Sequence, residues 1–398
     1  MSENLGKGAG RPAAGARAPT VGVEEEYLLV HPGTRAVEAS GSKVVARASG
    51  TLGALVSGEF TEYQIEGKTP PCTGSVELRT RLAGIRGALS MAARAEGLRL
   101  CASGSPVLAG TGPVLIGDHW RYRAGVDQYR AMLDDFTVCA FHVHVHLPDR
   151  ELAVLVGNHL RPWLPLLVAL SANSPFHRGH DTGYASWRSV IRSRFPCLGP
   201  PPYAASLEDH ERLASAMADS EAMLDASLPF WDIRPNPRLP TLEIRTMDVL
   251  PETEDAVALT VLIRALVVTA AARVGHGDPG PPICGELLRA ACWRAARDGW
   301  SGSGVEALTG RILPTAVQAG RLVDEVRPVL EEHGDFEEVA AFLRRLSTRG
   351  SGAERQRSAA GSPRGLSGVV DDLVARTEGS GLASPGISLD AGRGFSSA

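Results

Sequence analysis

The 398-residue sequence holds only six cysteines, none in CxxC spacing. That argues against thiolate metal frameworks, and a chain long enough to bury a large core has no need of a disulfide scaffold. The thiols are expected to be reduced, mostly as small core residues, in a cytoplasmic protein. Charge of one sign is not in excess either: 41 Lys and Arg stand against 45 Asp and Glu, a formal net charge of -4. Nucleic-acid or anionic-membrane binding driven by net charge is therefore not expected. Residues 1–19 lack the apolar core of a signal peptide, and the apolar run from Leu259 to Ala272 is broken by Arg264, so no membrane segment is expected. No Gly-x-Gly-x-x-Gly opens a helix after a strand. Gly67-Lys68-Thr69 resembles the end of a phosphate loop, but position 62, where that motif needs its first glycine, is Glu62. No Ser/His/Asp arrangement with a nucleophile turn is visible, which argues against covalent hydrolase chemistry.

Patterning predicts an irregular mixture of strands and helices, and hence an α+β fold rather than a regular βαβ winding. Strands are expected at 20–30, 60–66, 98–103, 137–147 and 241–247. Helices are expected at 80–97, near 126–135, near 150–172, and at 208–225 and 254–274. Residues 1–19 read as a flexible leader and 20–348 as the catalytic domain. Residues 349–365 read as a Ser/Gly/Arg linker, and 366–398 as a short helix followed by a disordered tail.

The most informative stretch is Val21-Gly-Val-Glu-Glu-Glu-Tyr-Leu-Leu-Val30, which sets consecutive carboxylates in a segment that otherwise reads as a buried strand. Side chains alternate faces in a strand, so Glu24 and Glu26 point the same way. Two carboxylates held close resist desolvation unless a cation or protons neutralise them, which points to a magnesium site. Glu59-Phe-Thr-Glu-Tyr-Gln-Ile-Glu66 sets Glu62, Gln64 and Glu66 on one face in the same way, and two such rows would suit a metal-nucleotide. The bland alternative is a charged edge strand. In Phe141-His-Val-His-Val-His146 three imidazoles share a face. They fit a zinc site, or a magnesium or manganese site with one histidine as ligand and the others touching phosphate. Packed or solvent-facing histidines are the plain alternative. Glu243 and Arg245 share a face in Thr241-Leu-Glu-Ile-Arg-Thr-Met-Asp248, offering a carboxylate ligand and a guanidinium for a phosphoryl group in transfer; an ordinary ion pair would look the same. Arg234, flanked by Pro235 and Pro237, is a further anion-binding candidate. Ser171–Phe176 and Tyr184–Arg192 read as polar, cationic loops of the kind that bind substrates or merely connect elements.

Together these runs, with Thr69-Pro-Pro-Cys72, Arg121-Tyr122, Ser171-Ala-Asn-Ser-Pro175 and Trp231-Asp-Ile-Arg-Pro235, resemble in order the type 2 glutamate-cysteine ligases, or carboxylate-amine ligases, over about residues 20–275. The resemblance implies a glutamine-synthetase-like catalytic fold, a curved, mainly antiparallel sheet flanked by helices whose inner face binds ATP and divalent metal. It implies metal or metal-phosphate roles for Glu24, Glu26, Glu62, Glu66, His144 and Glu243. Arg245 would meet the transferred phosphate, with Glu66 beside it as the second catalytic residue. Arg121, Tyr122, His142, Arg188, Arg192 and Arg234 would bind substrate or ATP. The implied reaction is ATP-dependent amide formation through an acyl phosphate, with Mg2+ or Mn2+ as the ion. Its partners would be a small carboxylate, such as glutamate, and a small amine, such as cysteine; the resemblance leaves room for a homo-oligomer.

Three departures fall near the expected site and bear on the substrate: His146 where glycine usually follows the His-Val-His-Val run, Phe141 for a small or polar residue, and Pro240 where glycine is common. The portion after about 276 matches the family's pattern poorly. Two other readings compete with the ligase: a zinc-dependent hydrolase using His142, His144 and His146, and a non-catalytic nucleotide or metal sensor.

Overall fold

A computed structural model describes residues 18–110 and 113–379; the leader up to residue 17 and the tail from residue 380 lie outside the described residues. The chain is organised around β1 (Val21–Val30), buried along its whole length. Next come β2 (Val56–Gly58), β3 (Gln64–Lys68), β4 (Arg99–Cys101) and β5 (Ala140–His146). A small hairpin, β6 (Phe176–His177) with β7 (His180–Asp181), is followed by β8 (Ile233–Pro235) and β9 (Thr241–Asp248). A second hairpin pairs β10 (Ser303–Glu306) with β11 (Arg311–Pro314). The main sheet runs β2-β3-β1-β5-β9-β8, with β4 paired to the far end of β1, and every pairing in it is antiparallel.

Alternation along these strands divides the sheet into two faces. Val21 and Val23 of β1, Phe141, Val143 and Val145 of β5, and Leu242 and Ile244 of β9 belong to one large apolar core. The helices packed into it are α4 (Arg150–Leu160), α5 (Leu164–Ser171), α8 (Thr253–Gly275), α10 (Thr315–Glu332) and α11 (Phe336–Arg349). The residues between these positions carry the carboxylates and imidazoles and face the other way. α1 (Gly41–Leu52), α2 (Ser75–Ala95), β4 and α13 (Gly365–Gly379) build a second core at the far end of β1. A third, smaller cluster of Leu133, Phe195, Cys197, Met223 and Trp231 lies among α3 (Trp120–Tyr129), α6 (Trp187–Arg192) and α7 (Leu207–Asp219).

Several expected elements are placed differently. The helix expected over 150–172 is broken by a 3-10 turn at Arg161–Trp163, where Pro162 and Pro165 remove backbone donors. The helix expected near 126–135 begins earlier, at Trp120, capped by the His119 side chain. α7 stops at Asp219, and Glu221 turns the chain with a positive φ of 58°. Arg264, which interrupts the apolar run of α8, is buried and ion-paired to Asp335, with a second donor on the Thr73 carbonyl (2.9 Å). Two helical runs, Arg150–Ser171 and Thr253–Gly275, are long and apolar enough to cross a membrane, and most of each is buried within the fold. Core packing accounts for their composition.

The stretch expected as a linker is helical: α12 (Gly352–Ala360) opens with a capping box between Ser351 and Glu354. Ala353 is buried, and Gln356 donates to both the backbone and side-chain oxygens of Asn173 (2.9 and 2.8 Å). α9 (Gly285–Asp298) packs against α5 and β10.

Candidate active site

Sheet register assembles the acidic residues. Glu24 lies opposite His142, Glu26 opposite Glu66, Ser57 opposite Glu66, and His144 opposite Glu243. A bulge between Phe141 and Val143 shifts the register of β5 on β9, and Arg245 joins the same face beside Glu243. The open face lines a cavity of about 720 Å3 that includes Glu24, Glu26, Glu66, His142, Glu243 and Arg245. That is the size of a nucleotide-binding cleft. A second cavity of about 200 Å3 shares Glu26, Glu59, His142 and Arg245 with the first and continues toward Arg188 and Arg192.

Two groups of ligand atoms converge: Glu24, His142 and Glu243, and Glu26, Glu66 and His142, each set lying within 4.8 Å of one another and buried. Glu24 Oε2 lies 3.1 Å from His142 Nδ1, and its Oε1 lies 3.5 Å from His144 Nε2. Glu26 accepts the Ala140 amide (2.7 Å), leaving its second oxygen 3.9 Å from His142 Nε2. Glu66 accepts from Ser57 Oγ (2.9 Å) and pairs with the Lys68 ammonium (2.7 Å). Glu243 is gripped by Arg234 through Nε and Nη2 (2.8 and 3.1 Å), by Asn236 (2.9 Å) and by Arg245.

The electrostatics sort these carboxyls into two kinds. Burial would raise Glu24, but the charge of His144 and the hydrogen bonds of His142 and His144 outweigh it and hold the carboxyl well below the usual range. Glu243 is likewise held well below that range, Arg234 and Arg245 overcoming burial. Burial pushes Glu26 up against the pull of Arg188 and Arg245. It pushes Glu66 up to about 7 despite Lys68, with Glu24 and Glu26 adding to the rise. Glu59 is pushed well up by burial and by the neighbouring Glu26 and Glu66. Crowded carboxyls that resist ionisation are what a hard cation relieves. His142, lowered by burial and by Arg245 to about 3, is a neutral imidazole and so a competent ligand; its Nε2 is buried with no hydrogen-bond partner. Arg245 Nε, Arg188 Nε and Arg121 Nη2 are also buried without hydrogen-bond partners, a pattern that ligand oxygens would complete.

Other expected residues are placed as follows. Glu62 lies outside β3, which begins only at Gln64; its carboxylate accepts the Ser42 amide at the start of α1 (2.8 Å), as a helix N-terminus favours. It borders the large cavity but does not share a strand face with Glu66. Of the two expected histidines, His142 sits among the clustered carboxylates, while His144 stands behind Glu24, its Nδ1 3.0 Å from Thr241 Oγ1. His146 is exposed at the strand end, so the three histidines do not converge as a zinc site would require. Arg234 is committed to Glu243 and the Pro229 carbonyl rather than free for an anion. Arg192 pairs with Asp232 (2.6 Å), and Arg121 with Asp225 (2.8 Å). Arg188 is fully buried, donating to the carbonyls of Thr246 and Arg245. Tyr122 lines both cavities, its hydroxyl 3.4 Å from the Gly58 carbonyl.

The Ser171–Pro175 loop serves the frame. Asp248 accepts from the Asn173 amide, Ser174 Oγ and Ser186 Oγ (2.9, 2.7 and 2.9 Å), tying the loop and the start of α6 to the end of β9. Glu59, Lys68 and Asn236 are site residues not singled out from the sequence. Glu59 lies in the turn ahead of β3, where strand alternation gives no signal.

The antiparallel sheet with an acidic inner face and helical backing is the fold of glutamine-synthetase-like ligases. It is shared by the crystal structure of a glutamate-cysteine ligase from Francisella tularensis in complex with AMP (TM-score 0.64, 12% identity, 93% of this chain and 90% of that one). A bifunctional glutathione synthetase from Pasteurella multocida shares it too (TM-score 0.64, 14% identity, 92% of this chain and 52% of that one).

The family model of glutamate-cysteine ligase family 2 matches residues 20–374, and the chain belongs to that family. The match runs through the C-terminal helices and so extends well past residue 276. Relatives include a Saccharopolyspora erythraea protein named "Putative glutamate--cysteine ligase 2-1", 41% identical over 360 residues (90% of this chain, 94% of that one). A Salinispora arenicola protein named "Putative glutamate--cysteine ligase 2" is 42% identical over 359 residues (90% and 95%). The chain is thus a carboxylate-amine ligase, an enzyme that forms a carbon–nitrogen bond.

Proposed function

We propose that this ligase couples ATP cleavage to amide formation through an acyl phosphate, with magnesium held on the open face of the sheet and, in keeping with the reduced thiols, in the cytoplasm. The observation that carries the reading is the pair of buried ligand groups sharing His142, set in a cavity of nucleotide size. Glu24, Glu243, Glu26, Glu66 and His142 would hold the metal, with His144 fixing Glu24 from behind. The metal, when bound, would supply charge neutralisation for the phosphates.

Arg245 lines the space shared by both cavities, and its guanidinium would stabilise negative charge as the γ-phosphoryl passes to the substrate carboxylate. In the second half, the amine nitrogen attacks the acyl carbon, the carbon–oxygen bond to phosphate breaks, phosphate leaves and a base takes the amine proton. Glu59 is the base this reading assigns: a half-buried carboxyl on the rim of both cavities whose affinity for a proton is raised.

ADP release by the purified protein with magnesium and ATP, against amino acids singly and in pairs, tests the reading. Pair-dependent release with an amide product seen by mass is expected. ATP binding in a folded protein without release for any pair would favour the sensor, and ATP-independent hydrolysis with tightly bound zinc would favour the hydrolase.

A further inference from the structure

The smaller cavity is unlike the rest of the site. Its walls are largely Phe60, Leu133, Phe136, Phe195, Leu224 and Phe230; Glu26, Glu59, His142 and Arg245 lie where it meets the large cavity, and Arg188 and Arg192, each engaged with protein oxygens, also line it. Three of the rings form an edge-to-face ladder, Phe60 on Phe136 at 5.7 Å and Phe136 on Phe195 at 5.0 Å, extended by Tyr129 on Phe195 at 5.3 Å. Such a ladder holds the wall in shape without a ligand. The cavity measures about 200 Å3. An apolar cavity of roughly 150 Å3 suffices to bind benzene. A thiol-sized side chain would leave most of this space unfilled, and a polar one would lose its hydration along the ring-lined wall, which offers no hydrogen bonds in return. At the polar end, the carboxylates of Glu26 and Glu59 line the cavity, and Arg121 lies on the same rim.

Resting on the ligase reading above, we infer that the amine substrate carries a phenyl-sized or branched apolar group that fills this cavity, with its nitrogen toward Glu26 and Glu59.

Gly125 of α3 gives the test. It lines the cavity, and a Cβ there would stand 3.7 Å from Leu224 Cδ1 and from Phe60 Cε2, ordinary contacts. Gly125→Ala therefore fits, while Gly125→Leu fills the space a ligand would use. Calorimetric titration of the full-length protein without ATP would use L-phenylalanine, phenethylamine, L-cysteine and L-alanine. L-Phenylalanine or phenethylamine should bind about tenfold or more tightly than L-cysteine or L-alanine. Gly125→Leu should remove that preference and Gly125→Ala keep most of it. The preference of phenylalanine over phenethylamine reads whether a carboxylate meets Arg121. Equal or tighter binding of L-cysteine to the wild type, no binding of any of the four, or an unchanged preference in a folded Gly125→Leu protein would overturn the inference. ADP release by the same protein preparations, supplied with magnesium, ATP and each amine together with a panel of carboxylic acids, judges the ligase reading separately. Turnover with cysteine and no apolar preference sinks the inference alone. Apolar binding that Gly125→Leu abolishes, without turnover for any acid, upholds the pocket and sinks the ligase reading.

Discussion

On β1, Glu24 and Glu26 point into the cavity, whereas Glu25 turns to the helical side and meets Arg86 of α2, whose Nε donates to it at 3.0 Å. Both partners of that pair are buried, and Arg86 also donates to the Pro251 and Leu250 carbonyls. Neighbouring substitutions should therefore separate function from stability. Glu24→Gln should lower magnesium-dependent ATP turnover by about a hundredfold or more, since it removes a charged ligand while leaving a side chain of the same size. Magnesium should raise the melting temperature of the wild type, and Glu24→Gln should abolish that rise. Glu25→Gln should leave Arg86 charged and underpaired and cost about 3–5 kcal/mol of stability, read by denaturant unfolding. A Glu24→Gln enzyme with wild-type turnover would remove the metal assignment. Strand alternation made this division readable from sequence. The same rule failed at Glu62 because strand β3 starts two residues after it, and it could not reach Glu59 in the preceding turn.

At the scale of elements, the site is braced from behind by a segment whose composition looked solvated. Ser351 and Glu354 have the S-x-x-E spacing of a capping box, a helix signal that the Ser/Gly/Arg bias of residues 349–365 obscured. Gly352 lets α12 close on the loop before β6: a Cβ there would stand 2.3 Å from Asn173 Oδ1 and 2.7 Å from its Cγ. Asn173 in turn donates to the Ala102 and Val249 carbonyls (3.0 and 2.9 Å), and its amide is held by Asp248. Gly352→Ala must push this junction apart and should destabilise by about 1–3 kcal/mol, measured as a lower denaturant midpoint with unchanged slope. Substitution at Gly361, where the nearest atom to a Cβ would be at 3.4 Å, should cost far less. The strands β1, β5 and β9 were legible because apolar and polar residues alternate along them, and α8 because its apolar run is long enough for a buried helix. The breaks at Arg161–Trp163 and Glu221 follow from prolines and a positive φ, features that periodicity does not report.

Across the whole molecule, acid should act through buried histidines outside the site as well as through the site's carboxyls. His210 of α7 packs its ring edge-on against Trp231 at 5.0 Å within the third cluster, and burial, helped by Arg150 and opposed by Glu211, lowers it from 6.5 to about 4. His177 of β6 is likewise lowered by burial to about 4 against the pull of Asp135. A histidine whose folded value lies below its unfolded value binds its proton more readily in the unfolded chain. Its neutral form therefore supports the fold fully above about pH 6.5, and that support is lost progressively as the pH falls toward 4. His210→Gln removes this term while keeping a side chain that can fill part of the same space. The stability difference between wild type and His210→Gln, from melts at pH 7.5, 6, 5 and 4.5, should shrink steadily on acidification. Subtracting the variant cancels the carboxyls of the active site, whose titration both proteins share. A difference that stays constant with pH would show that His210 is not held neutral by its burial, whereas the expected trend would place part of the enzyme's acid lability at the packing of α7 on Trp231.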